Sequence, residues 1–130
     1  MKNEVDFIIE VALANTFQYT NQLGWNAIRA QSYWRFLASR PNDPDRPRGA
    51  YFTDIEPSAV NLRLLHKKIR VPREKREYVF WFTGRESLIQ LFGGTGRDRY
   101  IYFSPIDYVI RDEARKKHGG LTGPLSETFP

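Results

Sequence analysis

The chain has 130 residues, of which 41% are hydrophobic, 27% charged and 15% aromatic, a composition typical of one soluble globular domain. With no Cys and two His, it excludes a disulfide framework and a thiolate metal site or nucleophile, and it supplies a His-based metal site poorly. The net charge of +5 favours an anionic partner: nucleic acid, a phosphate-bearing ligand or an acidic protein.

The sequence also indicates a compartment and a domain organisation. No apolar run approaches the roughly 20 residues needed to cross a bilayer. Glu4, Asp6 and Glu10 interrupt the apolar N-terminal stretch, which is unlike a secretory signal. We therefore expect a cytoplasmic protein with no membrane partner and a single domain over residues 1–130. In it, residues 1–15 form an N-terminal extension and residues 121–130 a loosely held tail.

The N-terminal part predicts a strand followed by a helix. Residues 16–20, TFQYT, have near-alternating aromatic and polar residues and predict a short strand. Thr20 or Asn21 is a candidate N-cap for a helix running to about residue 34. Its apolar positions fall on one side and are Leu23, Ala27, Ile28 and Ala30.

A Pro-rich loop and a second strand and helix follow. The stretch ASRPNDPDRPRG, residues 38–49, predicts a loop because it holds neither helix nor strand. AYFTDI predicts a strand ended by Pro57, and Ser58 is a candidate cap for the helix SAVNLRLLHKKI. The predicted apolar stripe of that helix is Val60, Leu64 and Ile69.

The C-terminal part has mainly strand character. YVFWFT, LIQLF and RYIYFS predict three strands, the last two joined by the Gly-rich hairpin connection GGTGRD. The segment from Asp112 starts as a charged helix or loop and ends as the tail. No internal repeat or second domain is indicated.

Several stretches with possible chemistry have simpler interpretations. GGTGRDR lacks the Gly-Lys-Ser/Thr ending of a phosphate loop and does not open into a helix, which favours a hairpin turn. The basic run at 66–77 can contact a nucleic-acid backbone, but Glu74 and Glu77 interrupt it, which favours a solvated face. His66 and His118 have no partner pattern, and no Gly-x-Ser-x-Gly elbow is present.

The order of the motifs carries a resemblance. TFQYT, a helix with GWNAI, the Pro-rich loop, GAYFTDIEPS, a Leu-rich helix, VP, an aromatic strand ending FTG, and SPID follow one another. This order resembles ADP-ribosyltransferases of the His-Tyr-Asp signature type, a group of polymorphic bacterial toxins related to the poly-ADP-ribose polymerases. The likeness runs from about Phe17 to Gly120, and GAYFTDIEPS is its most specific piece.

The resemblance implies an α+β fold, a split β-sheet with flanking helices that holds NAD in a cleft. It places Gln18 where the family has its signature His, which binds a ribose hydroxyl, and it places Tyr51 on the nicotinamide ring. The implied NAD-contacting residues are Gln18, Tyr19, Thr20, Tyr51 and Phe52.

The resemblance also implies an acidic residue near the end of the sheet. The match to SPID points to Asp107, with Asp112 or Glu113 as alternatives, and no metal is implied. Breaking the bond from nicotinamide to ribose builds positive charge on the sugar, which a nearby carboxylate stabilises. Asp54 and Glu56 are assigned to turn geometry and helix capping.

The activity expected from this resemblance is transfer of ADP-ribose from NAD to a protein or nucleic acid, by a toxin or defence effector that an immunity protein can inhibit. Gln18 cannot titrate near neutral pH as His does, although its amide still donates and accepts hydrogen bonds. Two alternatives therefore stay open: a non-catalytic module that binds NAD or ADP-ribose, and a basic nucleic-acid-binding domain.

Overall fold

The computed structural model describes residues 13–30, 32–41, 44–69, 71–91 and 96–129. The strands are β1 (Asn15–Thr20), β2 (Trp34–Phe36), β3 (Ala50–Thr53), β4 (Tyr78–Thr83), β5 (Ile89–Gln90), β6 (Ile101–Ser104), β7 (Tyr108–Ile110) and β8 (Lys116–Leu121). The α-helices are α1 (Gln22–Arg29), α2 (Ala59–Ile69) and α3 (Thr122–Leu125). Short 3₁₀ helices cover Arg73–Lys75, Gly96–Tyr100 and Glu113–Arg115.

The strands form one large sheet and one small sheet. The large sheet has the order β5-β6-β3-β1-β4-β8, the small sheet pairs β2 with β7, and all pairs are antiparallel. Together with the helices, these sheets make an α+β fold. No α-helix within the described ranges has the length and apolarity that crossing a membrane requires.

Alternate residues of the central strands pack into two layers of core. Ala50 and Phe52 of β3 face a cluster built with α1, the small sheet and β4. Tyr51, between them, faces the opposite side, where α2 packs through Leu65 and Ile69. Because successive side chains of a strand point to opposite faces, β3 separates the two layers.

Both predicted helix caps are confirmed. The side chain of Asn21 accepts a hydrogen bond from the backbone N–H of Gly24 at 2.9 Å. The hydroxyl of Ser58 accepts one from the N–H of Asn61 at 3.1 Å. Each cap satisfies a backbone donor that the first helical turn leaves unpaired.

The predicted apolar faces of the two helices are largely wrong. In α1, Ile28 is buried, whereas Leu23 is 80% exposed. In α2, Val60 is 55% exposed, and the buried residues are Leu65 and Ile69. The core contacts of each helix therefore follow from the sheet on which it packs, which a local pattern does not specify.

The segment after α1 is also different from the prediction. The helix ends at Arg29, and Trp34–Phe36 forms β2 instead of a last helical turn. Trp34 packs edge-on against Phe80 of the large sheet, with ring centroids 5.0 Å apart. The strand is thus stabilised by a long-range aromatic contact and by pairing with β7.

The C-terminal region is more ordered than the sequence indicated. Lys116–Leu121 forms the edge strand β8, paired with β4. In the expected loose tail at 121–130, Leu125 is buried and Phe129 packs against Phe17 and Trp81. These contacts hold the described part of the tail, residues 121–129, against the sheet.

Two further predictions concern segments that are wholly or partly outside the described residues. β5 and β6 pair as the hairpin prediction requires, but residues 92–95 of its connection are outside the described ranges. Residues 1–12 of the N-terminal extension are outside them as well. The last part of the GGTGRD connection belongs to a 3₁₀ helix, Gly96–Tyr100.

Candidate functional site

The large sheet opens between β1 and β3. On one side, β1 pairs with β4 over all six of its residues. On the other side, its register with β3 consists of the pair Phe17 and Thr53. Beyond that pair, the side-chain amide of Gln18 bridges the two strands by donating to the carbonyl of Tyr51 at 3.1 Å. A gap within a sheet exposes backbone and side-chain polar groups that a ligand can contact.

Two cavities meet at this opening. A cavity of about 160 Å³ and another of about 370 Å³ share Gln18, Tyr19 and Tyr51 in their walls. We call the two together the cleft. The larger cavity has the size of a small-molecule site. The cleft is therefore the candidate site, and it includes both residues that the first two signature motifs single out.

The opposite end of β1 is closed by a polar network. Arg85 donates to the backbone carbonyl of Asn15 at 2.8 Å and to the hydroxyls of Thr16 and Tyr102 at 3.2 and 3.1 Å. Burial raises the pKa of the neighbouring Asp54 carboxyl, although the charge of Arg85 opposes the shift. Arg85 therefore ties β1 to β6 at the end of β1 that is opposite to Gln18.

Within the described residues, Gln18 makes one of the four hydrogen bonds of which its side-chain amide is capable. Its Nε2 donates to Tyr51, and within the described residues its Oε1 accepts no hydrogen bond. Gln18 is half-buried and borders both cavities. An amide in this position offers an acceptor oxygen to a hydroxyl of a bound ligand.

Tyr51 is held on two sides. Its ring stacks on Phe103 of β6, with centroids 5.6 Å apart and an angle of 18° between the planes. Its hydroxyl donates to the carbonyl of Pro47 in the Pro-rich loop. The ring is therefore pre-oriented in the wall of the cleft, which suits a residue that stacks on a planar ligand.

Tyr19, Thr20 and Phe52 differ in their positions. Tyr19 borders both cavities, and its hydroxyl donates to the carbonyl of Ile55 at 2.7 Å. Burial, assisted by the negative charge of Glu56, raises the pKa of the Tyr19 hydroxyl far above its usual range. Thr20 lines the larger cavity. Tyr19 and Thr20 are thus both in the wall of the cleft.

Phe52 is less accessible than the other expected contact residues. It borders the smaller cavity, but it is 3% exposed and packs edge-on against Phe36 and Phe82. Most of its ring therefore belongs to the core, and its contact with a ligand stays a prediction.

Two cations stand in the walls of the cleft. Arg46 borders the smaller cavity and is 3.8 Å from a carboxylate oxygen of Asp98. Lys75, in the 3₁₀ helix after α2, borders the larger cavity. Among the described residues that line the two cavities there is no Asp or Glu. The cleft therefore favours a ligand that combines planar rings with negative charge.

Asp107 lies beside the cleft and is not one of the residues that line it. Its carboxylate accepts the backbone N–H of Ala38 at 2.8 Å and two bonds from Arg35 at 2.7 and 3.0 Å. These interactions, first the one with Ala38, lower the pKa of Asp107. Leu37 and Ser39, on either side of Ala38, line the larger cavity. The carboxylate of Asp107 is thus fixed beside two residues of the cleft wall.

The alternative acids are in a different part of the fold. Asp112 accepts the N–H of Ala114 at 3.0 Å and caps the 3₁₀ helix before β8. Glu113 pairs with Lys116 at 2.7 Å. In the large sheet, β4 lies between β8 and β1, whereas β6, which leads into the turn of Asp107, is next to β3. In strand order, Asp112 and Glu113 are therefore further from the opening than Asp107.

Among the described residues, neither a histidine nor a cluster of metal-binding side chains indicates a second functional site. His118 lies 3.1 Å from the carbonyl of Leu121, and the side chain of His66 is outside the described set. Over the described part of the chain, no group of three or more His, Asp or Glu side chains could hold a metal ion.

Comparisons with known proteins identify no relative. No protein-family model matches the chain, and neither the curated proteins nor the solved structures contain a significant match.

Sequence patterns singled out only part of the cleft. Leu37, Ser39 and Val71 line it without any motif that marks them. Arg46 belongs to the Pro-rich loop and Lys75 to the basic run, and both line the cleft. The sequence does not distinguish these two from the neighbouring cations.

Proposed function

We propose that the protein is an NAD-dependent ADP-ribosyltransferase that cleaves the bond from nicotinamide to ribose and passes ADP-ribose to an acceptor. The observation that carries this proposal is the opening between β1 and β3, at which Gln18 and Tyr51 meet in the wall of one cleft. The motif resemblance assigned these residues to a shared NAD site, 33 positions apart in the chain.

Each cleft residue has a role in this proposal. The free Oε1 of Gln18 accepts a hydrogen bond from a ribose hydroxyl, while its Nε2 keeps the amide oriented through Tyr51. The ring of Tyr51, supported by Phe103, stacks on nicotinamide and limits its reorientation. Arg46 and Lys75 contact the pyrophosphate.

Asp107 has the electrostatic role. It remains ionised because the N–H of Ala38 and the guanidinium of Arg35 hold its pKa below the usual range. A fixed negative charge at the mouth stabilises the positive charge that develops on the ribose as nicotinamide leaves. In this proposal the protein is a toxin or defence effector that acts in a cytoplasm.

A thermal-shift titration with NAD, with nicotinamide measured in the same sample, tests the proposal. A ligand that binds only the native state raises its apparent stability. We expect both a shift and release of nicotinamide. Absence of a shift at saturating NAD would contradict any function based on this cleft.

A second candidate is a non-catalytic module that binds NAD or ADP-ribose. It is favoured by the lining of the cleft, which includes no carboxylate among the described residues. The existing hydrogen bonds of Asp107 to Ala38 and Arg35 favour it too, because they leave that carboxylate a structural role. A thermal shift without nicotinamide release over a long incubation selects this candidate.

A further inference from the structure

A patch of exposed cationic and apolar side chains surrounds the mouth of the larger cavity. It consists of Arg35, Leu37, Arg40, Arg48 and Ile106, and we call it the rim. Leu37 is 63% exposed and Ile106 73% exposed, whereas most large apolar residues of the chain are covered. Such a combination on a surface marks an interaction site more often than a lone exposed residue does.

Two sets of contacts bring the rim together. Asp107 binds both the side chain of Arg35 and the N–H of Ala38, which places Leu37 beside the turn that carries Ile106. Ser39 and Gly49 exchange two backbone hydrogen bonds of 3.0 Å. That bridge is antiparallel, so the next residues outward, Arg40 and Arg48, are opposite each other across the base of the Pro-rich loop.

The rim is continuous with the cleft. Leu37, Ser39 and Gly49 are part of the wall of the larger cavity. The positive charge of Arg48 contributes to the lowered pKa of Asp107, as expected for a group near that carboxylate. A molecule bound to the rim therefore covers the mouth and lies next to the bond that the proposed reaction breaks.

We propose that the rim binds an acidic protein, which is the acceptor of the ADP-ribose. This inference rests on the proposed transferase function. The rim has three guanidinium groups, those of Arg35, Arg40 and Arg48, so the surface complements carboxylates of a partner, which Arg binds in a bidentate way. Leu37 and Ile106 supply an apolar anchor between these charges, an arrangement typical of protein interfaces.

The apolar groups of the rim favour a protein over a nucleic acid. Proteins that bind single strands stack bases on accessible aromatic rings. Both exposed apolar side chains of the rim are aliphatic. Two aromatic rings elsewhere on the surface have cations over them: Arg29 is 4.2 Å from the ring of Trp25, and Arg111 is 4.1 Å from that of Tyr33.

The acceptor supplies the nucleophile that the transfer of ADP-ribose requires. The electron pair of the bond from C1′ to the pyridinium nitrogen goes to nicotinamide, which leaves neutral. A lone pair of the acceptor nucleophile forms the new bond to C1′, and the proton of the nucleophile passes to solvent or to Asp107. Neither an oxidant nor a further co-reactant is needed.

The test compares two matched double variants in a cell extract supplied with a biotinylated NAD analogue. The rim variant is Arg40→Glu with Ile106→Ser. The control variant is Arg63→Glu with Val60→Ser on α2, where the residue types and their exposure are similar. Nicotinamide release without extract is measured in parallel, and the labelled product is digested separately with protease and with ribonuclease and deoxyribonuclease.

We expect the label to be on proteins of low isoelectric point and to be removed by protease. The amount of label should fall about tenfold or more with the rim variant, as for loss of an interface hot spot, and should not change with the control variant. Nicotinamide release without extract stays at the original rate in both. Label removed by nucleases, or equal in the two variants, overturns the acceptor assignment while the transferase proposal stands. Absence of nicotinamide release from the original protein overturns both.

Discussion

The side-chain amide of Gln18 donates a hydrogen bond to the backbone carbonyl of Tyr51 at 3.1 Å, at the point where β1 and β3 separate. A side-chain hydrogen bond thus joins the two strands beyond the point where their backbone pairing ends. The same contact orients Gln18 so that its oxygen remains available to a ligand in the cleft. Gln18 therefore has a structural role in the sheet in addition to the ligand contact that we propose for it.

Gln18→Leu is expected to lower the free energy of unfolding by about 1 kcal/mol, the usual worth of one hydrogen bond, and to abolish stabilisation by NAD. Chemical denaturation with and without NAD measures both effects. Gln90→Leu is the matched control, because Gln90 Nε2 also donates to a backbone carbonyl, that of Arg99 at 3.0 Å, outside the cleft. Equal NAD stabilisation in the two variants would remove Gln18 from the site.

Tyr51→Phe and Tyr51→Ala are expected to differ sharply. Phe keeps the stack on Phe103 and loses the bond to Pro47, so the affinity for NAD changes little. Ala removes the ring, and stacking worth about 1–3 kcal/mol predicts at least fivefold weaker binding. Calorimetric titration with NAD compares the two, and similar affinities would show that the ring does not contact the ligand.

Asp107→Asn is expected to reduce the rate of nicotinamide release about 100-fold or more, because it removes a fixed charge from the transition state. The affinity for NAD should change much less than the rate. Glu113→Gln is the control, since it also removes a carboxylate from an exposed ion pair, with Lys116 at 2.7 Å. Unchanged release by Asp107→Asn would place the catalytic charge elsewhere.

The rate of nicotinamide release is expected to be flat between about pH 5 and 8, where an unperturbed His would titrate. Gln18 does not ionise, the pKa of Asp107 is lowered, and the pKa of Tyr19 is raised. Loss of rate should begin only at acid pH, as the pH falls through the lowered pKa of Asp107. Gln18→His should introduce an inflection near pH 6.5, and such an inflection in the unmodified protein would contradict these assignments.

The sequence predicted those helices and strands whose signals lie within the element or directly beside it. The caps at Asn21 and Ser58 lie next to the helices that they begin, and the alternating aromatics of β4 stand in one run. β2 and β8 carry no such signal, since their stability depends on distant partners. A Cβ on Gly119 of β8 would be 3.0 Å from the ring of Trp34, so the glycine allows that ring to pack over the strand.

The same distinction holds for the cleft. The motifs indicated Gln18 and Tyr51 because each stands in a recognisable strand. They also included Phe52, most of whose ring belongs to the core. Leu37 lines the cleft because the small sheet packs on the large one, and Lys75 lines it because the 3₁₀ helix after α2 contacts β1. No spacing in the sequence reveals either juxtaposition.

The backbone bridge between Ser39 and Gly49 separates two parts of the molecule that can change independently. It fixes both ends of the Pro-rich loop, and a Cβ on Gly49 would be 2.6 Å from the carbonyl of Ser104, so this junction admits little besides glycine. Doubling the length of a flexible loop costs only about 0.6 kcal/mol. Insertions between Arg40 and Asp45 would therefore alter what is recognised at the mouth, while Arg46, Pro47 and β3 keep their contacts at the cleft.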